Sequence, residues 1–446
     1  MLSPTVDALV RKFADADAVV GVIGLGYVGL PVAKAFSDRG FEVYGFDIDE
    51  AKPERLRRGE PYIKHVSIEG IPERMRQGRF HATTDFSLVS RVDALIICVP
   101  TPLTRHREPD LSAIEQTART ITPHLRPNQL VILESTTYPG TTRDVLLPIL
   151  AGSGLRPGEE LFVAFSPERE DPGNAHFSTT TIPKVVGADD PASRALAIAL
   201  YGAVVDRVVP VQSLATAEAV KLTENIFRAV NIAMANELKV IYSAMGIDVW
   251  EVIEAAKTKP FGYMPFYPGP GLGGHCIPID PFYLTWKARE FGLTTRFIEL
   301  AGEINTGMPR YVVDRLAAEL NDRFRKSLNG ARVLIIGLAY KKNIDDVRES
   351  PAFALLKLLE DRGAAVEFHD PHVEVVPTTR EHLDLAGRRS FDLTAEALSS
   401  MDAVLICTDH DDVDYGLIVG SAPLVVDTRN AVARAGLAGA PNVATA

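Results

Sequence analysis

Short apolar runs rich in β-branched residues recur along the N-terminal part of the chain, and each ends in a polar or glycine-containing turn. They lie at residues 18–23, 42–46, 93–100 and 129–136. Runs of this length, bounded by turn residues, are typical of buried strands. A helical pattern begins at Leu30 after the first run, and strands that alternate with helices predict a parallel sheet with helices on both faces.

The C-terminal part repeats this series of runs in the same order. The matching runs lie at 332–337, 365–370, 402–408 and 424–430, and helical patterns occupy 213–245 and roughly 297–324 between the two series. We therefore predict an α/β fold in which two Rossmann-like, doubly wound parallel sheets are joined by a long helical central segment. The predicted domains are 1–212 for the first sheet, 213–327 for the helical segment with a subunit contact, and 328–446 for the second sheet.

The first apolar run leads directly into a glycine-rich turn of the form GxGxxG, and the second run ends in an acid. Such glycines make a tight turn and let a pyrophosphate approach the N-terminus of the next helix, while the acid accepts hydrogen bonds from a ribose. The sequence therefore predicts a dinucleotide site. Its expected cofactor contacts are Gly24, Gly26, Tyr27, Val28, Gly29 and Asp47.

The residues around this turn favour NAD over the other dinucleotides. Ile48, Asp49 and Glu50 follow Asp47 where an arginine would accept the 2′-phosphate of NADP. FAD is disfavoured because the chemistry proposed below needs a hydride acceptor that leaves and is replaced. Thr101 and Thr136 lie at the carboxyl ends of predicted strands, where ligands bind, although either could instead cap the following helix.

Composition narrows the class of protein. The chain has 446 residues, a net charge of −11 and 46% hydrophobic residues, so nonspecific nucleic-acid binding is disfavoured and several globular domains are expected. No apolar run is long enough for a membrane span, and the N-terminus lacks a basic segment followed by an apolar one. With three cysteines and no metal-type spacing, we expect a cytoplasmic protein without a metal site.

One of the three cysteines lies in a different setting from the others. Cys98 and Cys407 end apolar runs, where a thiol is usually a small inert hydrophobe, whereas Cys276 lies in a loop rich in glycine and proline. Such a loop can present the sulfur to a substrate carbonyl, and the alternative is a tight turn with an incidental thiol. In the second predicted sheet Lys341, Lys342 and Arg348 stand where the glycine triplet is missing, which indicates a phosphate held by side chains or, alternatively, a solvated charged loop.

Together these residues resemble the UDP-glucose/UDP-mannose-type nucleotide-sugar 6-dehydrogenase family across essentially the whole chain. The segment ahead of the cysteine, from Lys257 to Pro268, looks most like the UDP-N-acetylglucosamine 6-dehydrogenase branch. The matching segments are Gly24 to Gly29, Ser135-Thr136, Ser166-Pro167-Glu168-Arg169, Lys221 with Asn225, Gly273-Gly274-His275-Cys276 with Pro278 and Asp280, Tyr340-Lys341-Lys342, and Arg348-Glu349-Ser350.

The resemblance implies NAD-dependent, four-electron oxidation of a hexose C6 alcohol to a carboxylate. Cys276 would form a thiohemiacetal and then a thioester, Lys221 and Asp280 would serve deprotonation, and Glu168 would assist hydrolysis. The implied catalytic residues are Cys276, Lys221, Asn225, Asp280, Glu168 and Thr136. The implied substrate contacts are Glu168, Arg169, Lys221, Asn225, Tyr267, Gly273 and Lys341, and Arg348 is added to the cofactor contacts Thr101 and Thr136.

Several alternatives stay open at this point. Asp280 could be a helix N-cap with Pro281 at the first helical position, Glu168 could pair only with Arg169, and His275 fits loop packing better than metal ligation. The substrate could be UDP-N-acetylglucosamine or a UDP- or dTDP-glucose. Rival functions are a two-electron hydroxyacid-type dehydrogenase and a noncatalytic nucleotide-binding protein. We expect a nucleoside-diphosphate sugar as partner, no nucleic acid or membrane, and a homodimer or higher homo-oligomer.

Overall fold

A computed structural model describes residues 2–63, 66–104, 108–169, 179–274, 277–379 and 382–446. It divides into two compact units, the first formed by Met1–Glu224 with Phe282–Thr294 and the second by Asn225–Pro281 with Thr295–Ala446. The division into three domains at residues 212 and 327 stays a prediction. In the described ranges no helix is both long and apolar enough to cross a membrane.

Among the described residues, the first unit contains eight strands with helices between them. In chain order its elements are α1 (Pro4–Ala14), β1 (Val19–Ile23), α2 (Gly29–Asp38), β2 (Glu42–Phe46), α3 (Ala51–Arg58), α4 (Ile71–Arg76), β3 (Phe80–Thr83), β4 (Ala94–Ile97), α5 (Ser112–Ile121), β5 (Gln129–Leu133), α6 (Leu147–Leu150), β6 (Leu161–Phe165), β7 (Lys184–Gly187), α7 (Pro191–Gly202) and β8 (Val208–Val211). Short 3₁₀ or π-helical turns occupy Phe86–Arg91, Thr122–His124, Thr142–Leu146 and Ala151–Ser153.

In the part of the second unit that the structure describes there are five strands, together with a helix of 29 residues at Arg296–Phe324. The boundary between the units falls within α8 (Leu214–Met245), and α10 (Asp280–Glu290) also crosses it. The other elements are α9 (Val249–Lys257), α11 (Arg296–Phe324), β9 (Arg332–Ile336), α12 (Pro351–Asp361), β10 (Ala365–His369), α13 (Ala395–Ser399), β11 (Ala403–Ile406), α14 (Tyr415–Ser421), β12 (Val425–Asp427), α15 (Ala431–Arg434) and β13 (Val443–Thr445), with a 3₁₀ turn at Leu383–Leu385.

The sheet of the first unit has the order β3-β2-β1-β4-β5-β6-β7-β8. Its first six strands are parallel and follow the Rossmann order, while β7 is antiparallel to β6 and parallel to β8. Side chains alternate between two cores: Ala94 and Ile96 of β4 enter one, and Leu95 and Ile97 enter the other. This two-sided burial explains why the sequence shows continuous apolar runs.

The sheet of the second unit has the order β10-β9-β11-β12-β13, and all of its strands are parallel. Val333 and Ile335 of β9 enter one core, and Leu334 and Ile336 enter the other. The predicted fold class is therefore confirmed, as are the helices predicted at 213–245 and 297–324. Sequence reasoning missed β13, as well as β3 and β6–β8 of the first sheet.

A buried ion pair joins β7 to the end of β5 inside the first unit, and a tyrosine of α7 donates to it. Lys184 Nζ lies 2.5 Å from Glu134 Oε1, and their side chains are only 9% and 0% exposed. The Tyr201 hydroxyl donates to the same carboxylate oxygen at 2.6 Å. Burial alone would lower the pKa of Lys184, but the charge and hydrogen bond of Glu134 raise it, so the pair stays ionised.

We expect Lys184→Met to destabilise the first unit strongly, because it leaves the Glu134 carboxylate buried without its cation. The free energy of unfolding should fall by about 3–5 kcal/mol. Arg156→Ala is the matched control, since Arg156 pairs with Glu159 where both side chains are more than 60% exposed, and it should cost less than about 1 kcal/mol. Urea unfolding of the full chain followed by circular dichroism measures both, and equal effects would contradict the role assigned to the buried pair.

Candidate active site

The glycine turn after β1 uses its three glycines for different purposes. Gly24 has a φ of +90°, and a Cβ there would lie 2.5 Å from the Cys98 carbonyl oxygen. A Cβ on Gly29, the first residue of α2, would lie 1.9 Å from the Gly24 carbonyl oxygen, whereas one on Gly26 would meet nothing within 4 Å. Tyr27 and Val28 pack against the core of the sheet. The turn therefore fits a dinucleotide, with open space at Gly26 and the helix N-terminus beside it.

Asp47, the acid predicted to bind a ribose, directly follows β2 and is hydrogen-bonded to the glycine turn after β1. Asp47 is buried, and its carboxylate accepts hydrogen bonds from the Leu25 amide at 2.8 Å and the Asp49 amide at 3.0 Å. Lys52 Nζ pairs with it at 2.8 Å. The sequence analysis missed Lys52, which lies five residues away at the start of α3.

The ends of β4 and β5 are joined by side-chain hydroxyls. Ser135 Oγ donates to the Val99 carbonyl at 2.7 Å and accepts from its amide at 3.0 Å. Thr101 is buried, and its carbonyl oxygen accepts a hydrogen bond from the Tyr283 hydroxyl at 2.6 Å. Thr136 is half-buried next to Ser135.

Thr137 is a candidate contact that sequence reasoning missed. Its Oγ1 is buried and has no hydrogen-bond partner in the described part of the chain. A buried polar atom without a partner is costly, so this hydroxyl is suited to a ligand at the carboxyl end of β5. The Thr/Thr pair in the sequence gave no means of choosing between residues 136 and 137.

Lys221 and Glu168, which were predicted to serve different catalytic steps, are in contact within the first unit. Lys221 is 4% exposed on α8, and its Nζ donates to the main-chain carbonyl of Glu168 and lies 3.5 Å from Glu168 Oε2. Arg169 instead pairs with Glu224 at 2.7 Å and donates to the Pro183 carbonyl. The alternative in which Glu168 pairs only with Arg169 is therefore wrong.

The Glu218 carboxylate on α8 also stabilises this region, and its role was not recognised in the sequence. It is fully buried one helical turn before Lys221. Its oxygens accept from the Gly140 amide at 2.5 Å, the Thr142 amide at 2.8 Å and the Thr142 hydroxyl at 2.7 Å. Burial raises the pKa of Glu218, while these hydrogen bonds oppose the rise. The carboxylate thus fastens α8 to the loop that follows β5.

In the second unit, Asn225 and Asp280 are brought together although 55 residues separate them. Both are buried, and Asn225 Nδ2 donates to Asp280 Oδ2 at 2.5 Å. Arg228, one turn further along α8, donates to Asn225 Oδ1 and thereby fixes which way the amide faces. Helix α10 begins at Asp280 itself and not at Pro281 as the capping hypothesis predicted, a difference of one residue.

The glycines before the predicted nucleophile allow close packing inside the second unit. A Cβ on Gly273 would lie 2.6 Å from Tyr340 Cβ, and one on Gly274, where φ is +81°, would lie 2.8 Å from the Tyr340 ring. The Gly274 amide donates to the Arg348 carbonyl at 3.1 Å, and the Gly269 amide donates to Asn236 Oδ1 at 2.9 Å. His275 and Cys276 themselves lie outside the described residues.

The remaining predicted contacts also belong to the second unit. The Tyr267 hydroxyl donates to Glu254 at 2.6 Å, and its ring stacks on Trp250 with centroids 5.6 Å apart. Arg348 forms a two-pronged pair with Asp346, and Lys341 is half-buried in the same loop. In the described ranges, no group of three His, Cys, Asp or Glu residues is arranged to hold a metal ion.

The other two cysteines are unsuited to nucleophilic chemistry. Burial raises the pKa of the Cys407 thiol to about 11. Burial also raises the pKa of Cys98, and the nearby Glu134 carboxylate, which accepts from its thiol at 3.6 Å, raises it further. Neither thiol forms appreciable thiolate near neutral pH.

Two glycine variants should separate ligand contact from packing in the turn after β1. Gly26→Ala should leave the melting temperature within about 2 °C but weaken NADH binding by about tenfold or more, because the new methyl group occupies open space on the ligand side. Gly29→Ala should lower both the melting temperature and the affinity for NADH, because its Cβ collides with the Gly24 carbonyl. Thermal unfolding and NADH fluorescence titration measure the two effects, and unaltered NADH affinity in Gly26→Ala would rule out the assigned contact.

Three family models match successive parts of the chain. Residues 18–205 match the NAD binding domain of the UDP-glucose/GDP-mannose dehydrogenase family, residues 215–307 its central domain and residues 334–434 its UDP binding domain. The mannose nucleotide in this family's description is GDP-mannose and not UDP-mannose.

Individual proteins give the same result. A UDP-N-acetyl-D-glucosamine 6-dehydrogenase of Pseudomonas aeruginosa is 36% identical over 82% of this chain and 86% of its own. A UDP-N-acetyl-D-mannosamine dehydrogenase of Salmonella typhi is 35% identical over 92% and 98%. The solved structure of a UDP-D-ManNAc dehydrogenase from Pyrococcus horikoshii superposes with a TM-score of 0.84 at 33% identity, covering 93% of this chain and 96% of that one. The chain therefore belongs to the UDP-glucose/GDP-mannose dehydrogenase family and is an NAD-dependent oxidoreductase of nucleotide sugars.

Proposed function

We propose that this enzyme oxidises the C6 alcohol of a UDP-N-acetylhexosamine to the carboxylate in two successive two-electron steps. The observation that carries the proposal is the buried Lys221, held by the carbonyl and carboxylate of Glu168. A buried lysine beside a carboxylate is suited to acid–base work and to the binding of an oxyanion. In the overall reaction, one alcohol, two NAD⁺ and one water give one carboxylate, two NADH and three protons.

The four-electron course requires the intermediate aldehyde to stay on the enzyme, which is the role we assign to Cys276. Its sulfur adds to the aldehyde carbon to form a thiohemiacetal, loss of a hydride from that carbon gives a thioester, and water then breaks the carbon–sulfur bond to release the carboxylate and the thiol. NAD, when bound, accepts one hydride in each oxidation. Cys98 and Cys407 are not alternatives, because burial raises the pKa of both thiols.

The remaining predicted residues receive roles that suit their contacts. Removal of the hydroxyl proton is assigned to a base or water held by Lys221 and Asp280, and assistance to thioester hydrolysis is assigned to Glu168. Asn225 already donates one amide hydrogen to Asp280, and an amide nitrogen carries a second hydrogen that can stabilise an oxyanion. Fixed by Arg228, that amide needs no reorientation during the reaction.

The sugar and base are proposed from similarity. The loop ahead of Cys276 resembles the acetamido-sugar branch, and the relatives described above are named for UDP-N-acetylglucosamine and UDP-N-acetylmannosamine. Residues 334–434 match a UDP binding domain, which favours uridine over thymidine. We therefore place UDP-N-acetylglucosamine first among the substrates, ahead of UDP- or dTDP-glucose.

The purified enzyme should yield two NADH for each UDP-N-acetylglucosamine consumed and a uronate as product. Absorbance at the NADH band with a limiting amount of sugar nucleotide, followed by mass spectrometry, measures both. The same assay across UDP-N-acetylmannosamine, UDP-glucose and dTDP-glucose ranks the substrates. A single NADH per sugar with a stable aldehyde or ketone would instead support the two-electron dehydrogenase.

Cys276→Ala provides the control for the covalent step. It should abolish formation of the acid, by a factor of about a thousand or more, while NADH affinity stays unchanged because the nucleotide turn belongs to the first unit. Cys407→Ala, at a buried thiol in the core of the second sheet, is the matched variant and should retain two NADH per sugar. Wild-type rates of acid formation in Cys276→Ala would exclude the thioester.

We also propose a homodimer formed through α8. Phe227, Met234 and Ile241 are seven residues apart and form one stripe with Met245, and each of the four is at least 45% exposed. A contiguous apolar stripe of this kind on a helix is unusual for a surface that faces only water. Two copies of the stripe would cover each other.

Light scattering should therefore give about twice the chain mass of 48.5 kDa. Met234→Glu combined with Ile241→Glu should reduce it to one chain mass, because the charges would be buried at the contact. Leu383→Glu, at an apolar residue that is 66% exposed elsewhere in the second unit, should leave the mass unchanged. An unaltered mass in the double variant would place the subunit contact on another surface.

A further inference from the structure

The loop after β9 carries the cations expected to meet the substrate diphosphate, and it is fastened to the rest of the second unit at an unexpected point. Asn343, which follows Lys341 and Lys342, adopts a left-handed conformation with a φ of +62°. Its main-chain amide donates to His410 Nδ1 at 2.9 Å. His410 is fully buried just beyond β11.

These contacts determine the protonation state of His410. A main-chain N–H can only donate, so Nδ1 must be the acceptor and Nε2 must carry the hydrogen. Nε2 lies 3.1 Å from Asp370 Oδ2 and therefore donates to that carboxylate. His410 is thus a neutral bridge between Asp370, at the end of β10, and the main chain of Asn343.

Asp370 is a rigid anchor for this bridge. Its carboxylate also accepts from the amides of Leu338 and Ala339 at 2.7 and 2.9 Å and from His372 and Val373 at 2.8 and 3.0 Å. Burial opposes ionisation, but the hydrogen bond from His410 together with these amides lowers the pKa of Asp370 below its ordinary value. The carboxylate therefore stays ionised and its position is determined from several sides.

Asp411 completes the attachment on the outer side of the loop. Its amide donates to Asn343 Oδ1 at 2.9 Å, and its carboxylate accepts from Asn343 Nδ2 at 2.5 Å and from Lys342 Nζ at 2.7 Å. The Thr408 hydroxyl binds the Ala339 carbonyl at 2.6 Å. The turn is therefore attached to the segment Thr408–Asp411 at both of its ends, through Ala339 on one side and through Lys342 and Asn343 on the other.

We infer that His410 is a positioning residue for the nucleotide: through the Asn343 amide it holds the Lys341–Lys342 turn in the conformation that meets the diphosphate of the substrate. The inference rests on the proposed function in assuming that this turn meets the diphosphate. Cations on a flexible loop lose conformational entropy when they bind phosphate, and a loop that is already fixed loses less. His410 is too deeply buried to touch the ligand itself.

Two substitutions of His410 each remove one of its two hydrogen bonds and keep the other. Asn places a carbonyl oxygen near the position of Nδ1, so His410→Asn keeps the acceptor for Asn343 and loses the donor to Asp370. Gln places an amide nitrogen near the position of Nε2, so His410→Gln keeps the donor and loses the acceptor. Both remove one buried hydrogen bond and should lower the melting temperature similarly.

Calorimetric titration of the full-length protein with UDP tests the inference. His410→Gln should weaken UDP binding by about tenfold, whereas His410→Asn should stay within about threefold of the wild type. NADH affinity should be unchanged in both. Equal UDP affinity in the two variants would overturn the inference, because a purely structural role would not distinguish them.

One further measurement covers the case of an unfolded variant, and one further variant checks the contact with the diphosphate. If His410→Gln does not fold, hydrogen exchange of the wild-type protein without UDP replaces it: the Asn343 amide should exchange at least about tenfold more slowly than an unprotected amide. Exchange at the unprotected rate would overturn the inference, because His410 would then not hold the turn before UDP binds. Lys341→Ala examines the underlying assumption: unchanged UDP binding would show that the turn does not meet the diphosphate and would overturn the inference as well. Two NADH per sugar from the wild type would in either case leave the proposed function standing.

Discussion

The same hydrogen bond fixes the first loop of each sheet. The amide two residues beyond one strand donates to the aspartate that directly follows the neighbouring strand, after β1 and β2 in the first unit and after β9 and β10 in the second. In the first unit the Leu25 amide meets Asp47, and in the second the Leu338 amide meets Asp370. The same bond has different consequences in the two places. Beside Asp47 the turn has open space at Gly26. Asp370 instead accepts a hydrogen bond from His410, whose other ring nitrogen accepts one from Asn343 in the loop after β9. Similar strands thus support a dinucleotide turn in one unit and a cationic loop in the other.

Charged groups near the predicted chemistry are buried together with an opposite charge or hydrogen-bond donors, because an isolated buried charge is too costly to retain. Lys221 lies beside Glu168, and the Asp280 carboxylate accepts the Asn225 amide. Glu218 is satisfied by two amides and a hydroxyl of the loop after β5. Within the first unit, helix α8 carries Glu218 and Lys221 one turn apart, so the helix backbone sets their spacing.

The predictable part of the fold depended on continuous apolar runs. Strands buried on both faces, such as β4 and β9, were found because each contains four consecutive buried apolar residues. The edge strand β8 was missed because it is only partly buried and contains Pro210, and β13 because it has only three residues. Residues whose role depends on a distant partner also escaped detection: Tyr283 meets Thr101 across 182 positions, and His410 meets Asn343 across 67.

The sequence by itself determined the class of both sheets, the dinucleotide turn, the preference for NAD and the family, since periodicity, glycine spacing and local charge are properties of short segments. Only the tertiary structure decided which polar groups pair. It placed Arg169 with Glu224 instead of Glu168, turned the Asn225 amide towards Asp280, and made Asp370 an anchor for His410. The physical reason is that a buried polar group takes whichever partner the packing of distant segments brings within hydrogen-bonding distance, and this geometry is not encoded in any short stretch of chain.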